Sequence, residues 1–134
     1  MICFFTTIGL NVFLNTFFYP SLLKYQAGNI AAKFINDNRL PKDSVVVFGD
    51  VADARNSLYF YGNYFFKKIR NANELATGNY VLTSAKDYAE LIKQRSAAIV
   101  FTGKGFPVTK LSLKFINPAT REKELHPFYI VKIK

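Results

Sequence analysis

The chain has 134 residues, about one domain's worth. Half are apolar, 16% are aromatic and only 20% are charged, a balance that excludes an intrinsically disordered polypeptide. One cysteine and one histidine exclude a disulfide framework and zinc sites built on paired cysteines, while 18 Lys and Arg against 9 Asp and Glu give a net charge of +9.

Residues 1–23 carry no Asp, Glu, Lys or Arg; the first charge is Lys24. As a helix, residues 1–19 (MICFFTTIGLNVFLNTFFY) rise about 28 Å, close to the thickness of a bilayer's hydrocarbon layer. Phe17, Phe18 and Tyr19 fall where interfacial aromatics gather, and Pro20 is expected to break the run. These features predict a membrane helix over 1–19. A secretory signal peptide fits poorly, because no basic residue precedes the apolar run and Phe-Phe-Tyr-Pro is a poor cleavage site. A buried helix of a soluble domain stays open, since Thr6, Thr7, Asn11, Asn15 and Thr16 dilute the apolarity. Thr7, Asn11 and Asn15 are four apart and form one stripe. In lipid alone their polar groups are costly, whereas against neighbouring helices they can hydrogen-bond. The segment therefore reads as the last helix of a larger bundle, and the chain as a piece of a longer protein.

Residues 21–38 place Leu23, Ala27, Ile30, Ala31, Phe34 and Ile35 on one face, which predicts an amphipathic helix ended by the turn Leu40-Pro41-Lys42-Asp43. The β-branched run 44–48 (SVVVF), closed by Gly49, reads as a strand buried on both faces. Asp53 or Asn56 is positioned to cap a short helix through Tyr61, with Gly62 as its stop. Residues 64–69 and 80–83 follow as strands, and Ser84-x-x-Asp87 resembles a capping box opening a helix over 85–95. A strand at 97–101 closes at the turn-rich Gly103-Lys104-Gly105-Phe106-Pro107, and residues 111–116 and 128–133 alternate like an antiparallel hairpin. The order α-β-α-β-β-α-β-β-β predicts a single small α/β sandwich over 20–134, with a mixed sheet and an antiparallel C-terminal hairpin.

Chemistry-bearing residues are sparse. Asp50 and Asp53 follow the first buried strand, where α/β sheets place ligand groups, and two carboxylates three apart are weak candidates for a divalent cation. A turn residue and a helix cap explain them as well. His126 has no nucleophile at a recognisable spacing, and Cys3 lies in the apolar segment, where a thiolate is disfavoured. No Walker loop or G-x-G-x-x-G is present, so no catalytic residue, metal or cofactor is assigned. Lys67, Lys68 and Arg70, with Lys104, Lys110 and Lys114, are the densest basic groups and suit anionic lipid or a lipid-phosphate, beside an ordinary role as solvated surface.

The final apolar helix ending in Phe18-Tyr19-Pro20, the amphipathic helix of 22–34, Val45-Val46-Val47-Phe48-Gly49, Ser57-Leu58-Tyr59-Phe60-Tyr61 and Tyr80-Val81-Leu82-Thr83 come in a distinctive layout. It resembles the C-terminal extracytoplasmic domain of bacterial GT-C glycosyltransferases, such as the lipid A aminoarabinose transferase and protein O-mannosyltransferase-like enzymes. The resemblance implies a sugar moved from a polyprenyl-phosphate carrier to a lipid or protein acceptor. It also implies a catalytic carboxylate in an upstream loop that no part of this chain matches, and an accessory role here in covering the membrane cavity or shaping acceptor access. The expected surroundings are then the rest of that enzyme, the lipid bilayer and a polyprenyl-phosphate-linked sugar, in the inner membrane with the soluble domain periplasmic. Lys24, Lys33, Arg39 and Lys42 would by themselves favour the cytoplasmic side, but upstream helices dominate orientation. No nucleic acid is expected; the rival reading is a self-contained basic module that binds nucleic acid or anionic lipid.

Overall fold

The computed structural model describes residues 2–51 and 54–134. It begins with a helical rod: α1 (Ile2–Phe13), a π-helical turn (Leu14–Phe18) and α2 (Tyr19–Leu23). Pro20 sits in the first turn of α2 and does not end the run. Its ring has no N–H to give the carbonyl four residues back, so the ladder widens just before it, and the Tyr19 N–H reaches Leu14 O, five residues back. The single spanning helix expected over 1–19 is thus split in register. Among the described residues, no helix is long and apolar enough to cross a membrane.

The rod buries little of itself. Phe4 (66%), Phe5 (65%) and Phe17 (65%) stand exposed with Ile8, Leu10, Val12, Phe13 and Tyr19. Its polar stripe turns back on the helix: Thr7 Oγ1 donates to Cys3 O at 2.8 Å, Asn11 Nδ2 to Thr7 O at 2.9 Å and Asn15 Nδ2 to Asn11 O at 2.9 Å. The expectation that this stripe needs neighbouring helices is corrected to that extent, because each side chain commits a donor to its own backbone.

The amphipathic helix expected over 21–38 is interrupted at 24–26; α3 (Ala27–Asp37) carries it on. β1 (Val45–Phe48), α4 (Ala54–Gly62), β2 (Lys67–Ile69), β3 (Tyr80–Ser84), α5 (Ala85–Gln94), β4 (Ala97–Gly105), α6 (Leu113–Ile116), α7 (Pro118–Arg121) and β5 (His126–Ile133) follow, with short 3-10 turns between several of them. The sheet order is β2-β1-β3-β5-β4. β1 runs parallel to β2 and β3, and β5 runs antiparallel to both β3 and β4. The mixed α/β sandwich is as expected. The C-terminal hairpin is not: residues 113–116 are helical, β4 extends through Gly105, and β5 pairs with β4 across the excursion 106–125.

Side-chain alternation sorts the core into two layers. Val45, Val47, Leu82, Phe128 and Ile130 face α3 and α4. Val46, Phe48, Val81, Val131 and Ile133 face Leu91 of α5 and the 3-10 turn at Ala72. A third cluster, Leu22, Phe106 and Phe115, joins the rod's base to the excursion, with Phe18, Tyr25, Val108 and Leu125 packed around it. Gly62 lies within α4, and the left-handed residue that follows is Asn63 (φ 47), so the helix stop stands one residue later than expected.

α3 and α4 approach closely at Gly28, where an added Cβ would lie 2.2 Å from both Ala54 O and Ser57 Oγ. Because the first of these is backbone, the helices would have to separate. Gly28→Ala should therefore lower unfolding free energy by about 1–3 kcal/mol. In urea unfolding, Lys33→Ala on the exposed side of α3 should change it by less than about 0.5 kcal/mol.

Candidate functional site

The chain leaves β1 toward α4 on one face of the sheet and leaves β3 toward α5 on the other. Adjacent parallel strands whose exits diverge leave a crevice beyond their carboxyl ends, the place where open α/β sheets bind ligands. Here the crevice is a cavity of about 320 Å³. Asp50 and Val51 line it after β1, Ser84 and Lys86 at the β3–α5 junction, Gly105 and Phe106 at the end of β4, and His126 and Phe128 at the start of β5. Its walls are mostly apolar (Ala27, Val51, Ala85, Phe106, Pro107, Pro127, Phe128), with Asp50, Lys86 and His126 as ionisable lining residues. A second cavity of about 260 Å³ also touches Asp50 and Val51, together with Arg55, Asn56 and Lys68.

One hydrogen-bonded knot holds the crevice in shape. Asp87 N–H donates to Ser84 Oγ at 3.1 Å, as the capping box anticipates, and Ser84 Oγ donates to Asp87 Oδ2 at 2.8 Å. The same carboxylate oxygen accepts the Asp50 N–H at 3.0 Å, tying the β1 exit to the start of α5. Gly49 makes this possible: its φ is +73°, and a Cβ there would lie 2.3 Å from Asp87 Oδ2. From sequence, Asp87 reads as the partner of Ser84 in a capping box and as a favourable first-turn charge; the aromatic-Gly-Asp end of β1 is the available signal for its contact with the Asp50 N–H.

Asp50 Oδ1 accepts from Lys68 Nζ at 3.0 Å. The hydrogen bond and charge of Lys68, with a further contribution from Arg70, hold the Asp50 carboxyl below its ordinary value. Asp53 lies outside the described residues, and among the described residues no three His, Cys, Asp or Glu side chains come together to hold a metal ion. Ser84 Oγ directs its proton to the Asp87 carboxylate, and the apolar walls of the cavity are suited to take most of a ligand's surface.

The six basic candidates do not meet. Lys67 and Lys68 lie on β2 at one edge of the sheet, with Arg70 just beyond it, while Lys104 lies on β4 at the opposite edge. Lys67 pairs with Glu74 at 3.8 Å and Lys104 with Glu122 at 3.8 Å. Lys110 and Lys114 belong to the excursion 106–125. Strand order therefore divides the six between opposite edges of the sheet and the excursion. This chain matches no protein-family model, no curated protein and no solved structure.

Asp87→Ala should cost about 1–2 kcal/mol in chemical unfolding, because it removes a capping carboxylate and leaves the Asp50 N–H and Ser84 Oγ without their acceptor. For Asp50, the folded carboxyl titrates below 3.8. Its pairing with Lys68 therefore stabilises the fold above the ordinary carboxylate value and is lost as pH falls through the lowered one. Lys68→Met should move the NMR titration midpoint of the Asp50 carboxyl back up toward 3.8. The stability change should be small, since Asp50 is solvent-screened.

Proposed function

We propose that this chain is a non-catalytic accessory domain of a membrane glycosyltransferase that moves a sugar from a polyprenyl-phosphate carrier to a lipid or protein acceptor. In this reading the rod of residues 2–23 is seated in the inner membrane, and the sandwich lies on the periplasmic side, where it covers the enzyme's cavity or shapes the path of the acceptor. The observation that carries the reading is the rod. It has no charged residue, stands largely clear of the folded body, and exposes five phenylalanine and tyrosine rings, Phe4, Phe5, Phe13, Phe17 and Tyr19. Water is a poor environment for such a surface, which exceeds the scattered apolar exposure of ordinary soluble domains. The back-bonded Thr7, Asn11 and Asn15 lower the cost of an apolar phase by pairing donors internally. The layout resemblance to GT-C C-terminal domains supplies the enzyme class.

The rival reading, a basic module tracking nucleic-acid phosphates, needs one continuous cationic face. Lys68 and Lys104 on opposite sheet edges count against it, as does the pairing of Lys67, Lys68 and Lys104 with acids.

Cell fractionation of the native gene product tests the seat and the sidedness together. The chain should stay with membranes through an alkaline carbonate wash, and protease added to spheroplasts should remove residues 24–134. Release into the soluble fraction, or protection of residues 24–134 in spheroplasts, would overturn the assignment.

A further inference from the structure

The excursion 106–125 is pinned to the rod's base and turns a second apolar surface outward. Phe115 is fully buried, its ring stacked on Phe106 at 3.8 Å and set edge-on to Tyr25 at 5.3 Å. Arg121 fastens the assembly: it donates to Phe115 O and Ile116 O, each at 2.9 Å, and to Tyr25 Oη at 3.2 Å, with its guanidinium over the Tyr25 ring. On α6, Leu113 lies on the side opposite Phe115, and Ile116, three residues on, lies between the two. Leu113 is 84% exposed, and Leu111 and Ile116 are exposed with it. Lys110 and Lys114 flank these side chains, are themselves exposed, and form no ion pair among the described residues.

We propose that residues 108–117 form an interfacial foot that rests on an anionic bilayer. Leu111, Leu113 and Ile116 enter the boundary between headgroups and acyl chains, and Lys110 and Lys114 meet lipid phosphates. Two observations commit the surface to lipid. The unpaired lysines complement a negative headgroup layer. The foot is also packed, through Phe106 and Phe115, onto Leu22, Phe18 and Tyr25, the end of the rod at which an inserted rod would leave the membrane. An amphipathic surface at that level binds by apolar burial plus charge attraction. The inference rests on the seated rod and adds where the folded body touches the membrane.

The chain has no tryptophan, so one introduced indole reports without background. Full-length protein carrying Leu113→Trp, with Leu111→Trp as a second variant, should show blue-shifted emission and quenching by brominated acyl chains. The vesicles are phosphatidylcholine mixed with phosphatidylglycerol. An Ile8→Trp reporter on the rod should shift both in these and in pure phosphatidylcholine. Replacing Lys110 and Lys114 together by Glu should weaken the foot's signal at limiting anionic lipid by at least about fivefold per lysine. Inorganic phosphate at matched ionic strength should not compete. If the rod reporter shifts while both foot reporters stay water-like, the seat stands and the foot is refuted, leaving another protein surface as its cover. If no reporter shifts, the seat fails and the foot fails with it. Loss of the foot shift on adding inorganic phosphate at matched ionic strength would replace the foot with a soluble-anion site.

Discussion

A strand of four residues buried on both faces requires helices on both faces, and that requirement shapes the whole body. Val45–Phe48 is buried throughout, with Val45 and Val47 facing α3 and α4 and Val46 and Phe48 facing the α5 side. The chain satisfies the strand by leaving β1 in one direction and β3 in the other, and the crevice is the space between these exits. The knot of Ser84, Asp87 and the Asp50 N–H closes the bottom of the divergence, where backbone donors would otherwise lack partners. The crevice therefore follows from the sheet topology, and its residues come from four separate strand ends.

The sequence is most legible where one local signal has no competitor. The run VVVF, the strand at 80–83 and the Ser84 cap each point to one conformation, and each stands within a residue or so of its expected place. Residues 111–116 (LSLKFI) read from their alternation as a strand, whereas the structure makes 113–116 a short helix. Tertiary context decides between them: β5 already has β3 on one side and β4 on the other, so no edge remains for another strand there, and the Ser112 side chain caps α6 by accepting from Phe115 N–H. Phe115 then finds its partner in Phe106, nine residues away, a pairing no window of periodicity contains. The π-turn before Pro20 is invisible in the sequence for a related reason. Proline signals an interrupted ladder, but whether a helix ends or widens there depends on the packing of the residues beyond it. Here Leu22 is held in a cluster that favours continuation.

Charge is the feature least transferable from sequence to surface. Lys67, Lys68, Arg70 and Lys104 look like one basic population along the chain, yet strand order sends them to opposite edges, and three of them meet acids. The net charge of +9 is therefore a property of the whole molecule that no single patch expresses. Lys110 and Lys114 differ because they share one short segment with exposed leucines and have no acid within pairing distance among the described residues. Burial and pairing, more than local density, decide which cations are available to a partner.

The rod's polar stripe bears on how dependent this chain is on other helices. An asparagine amide has two donor hydrogens and an acceptor oxygen; back-bonding at 2.9 Å uses one donor and leaves the rest. Asn11 and Asn15 can thus enter an apolar phase with reduced penalty and still offer polarity along one line. A helix with fully hidden polarity would gain nothing from a neighbour beyond packing, and one with fully exposed polarity would be strongly disfavoured until a neighbour arrived. The observed state lies between, so a rod seated as proposed would tolerate an apolar environment alone and would gain from a partner placed on the Thr7–Asn11–Asn15 side.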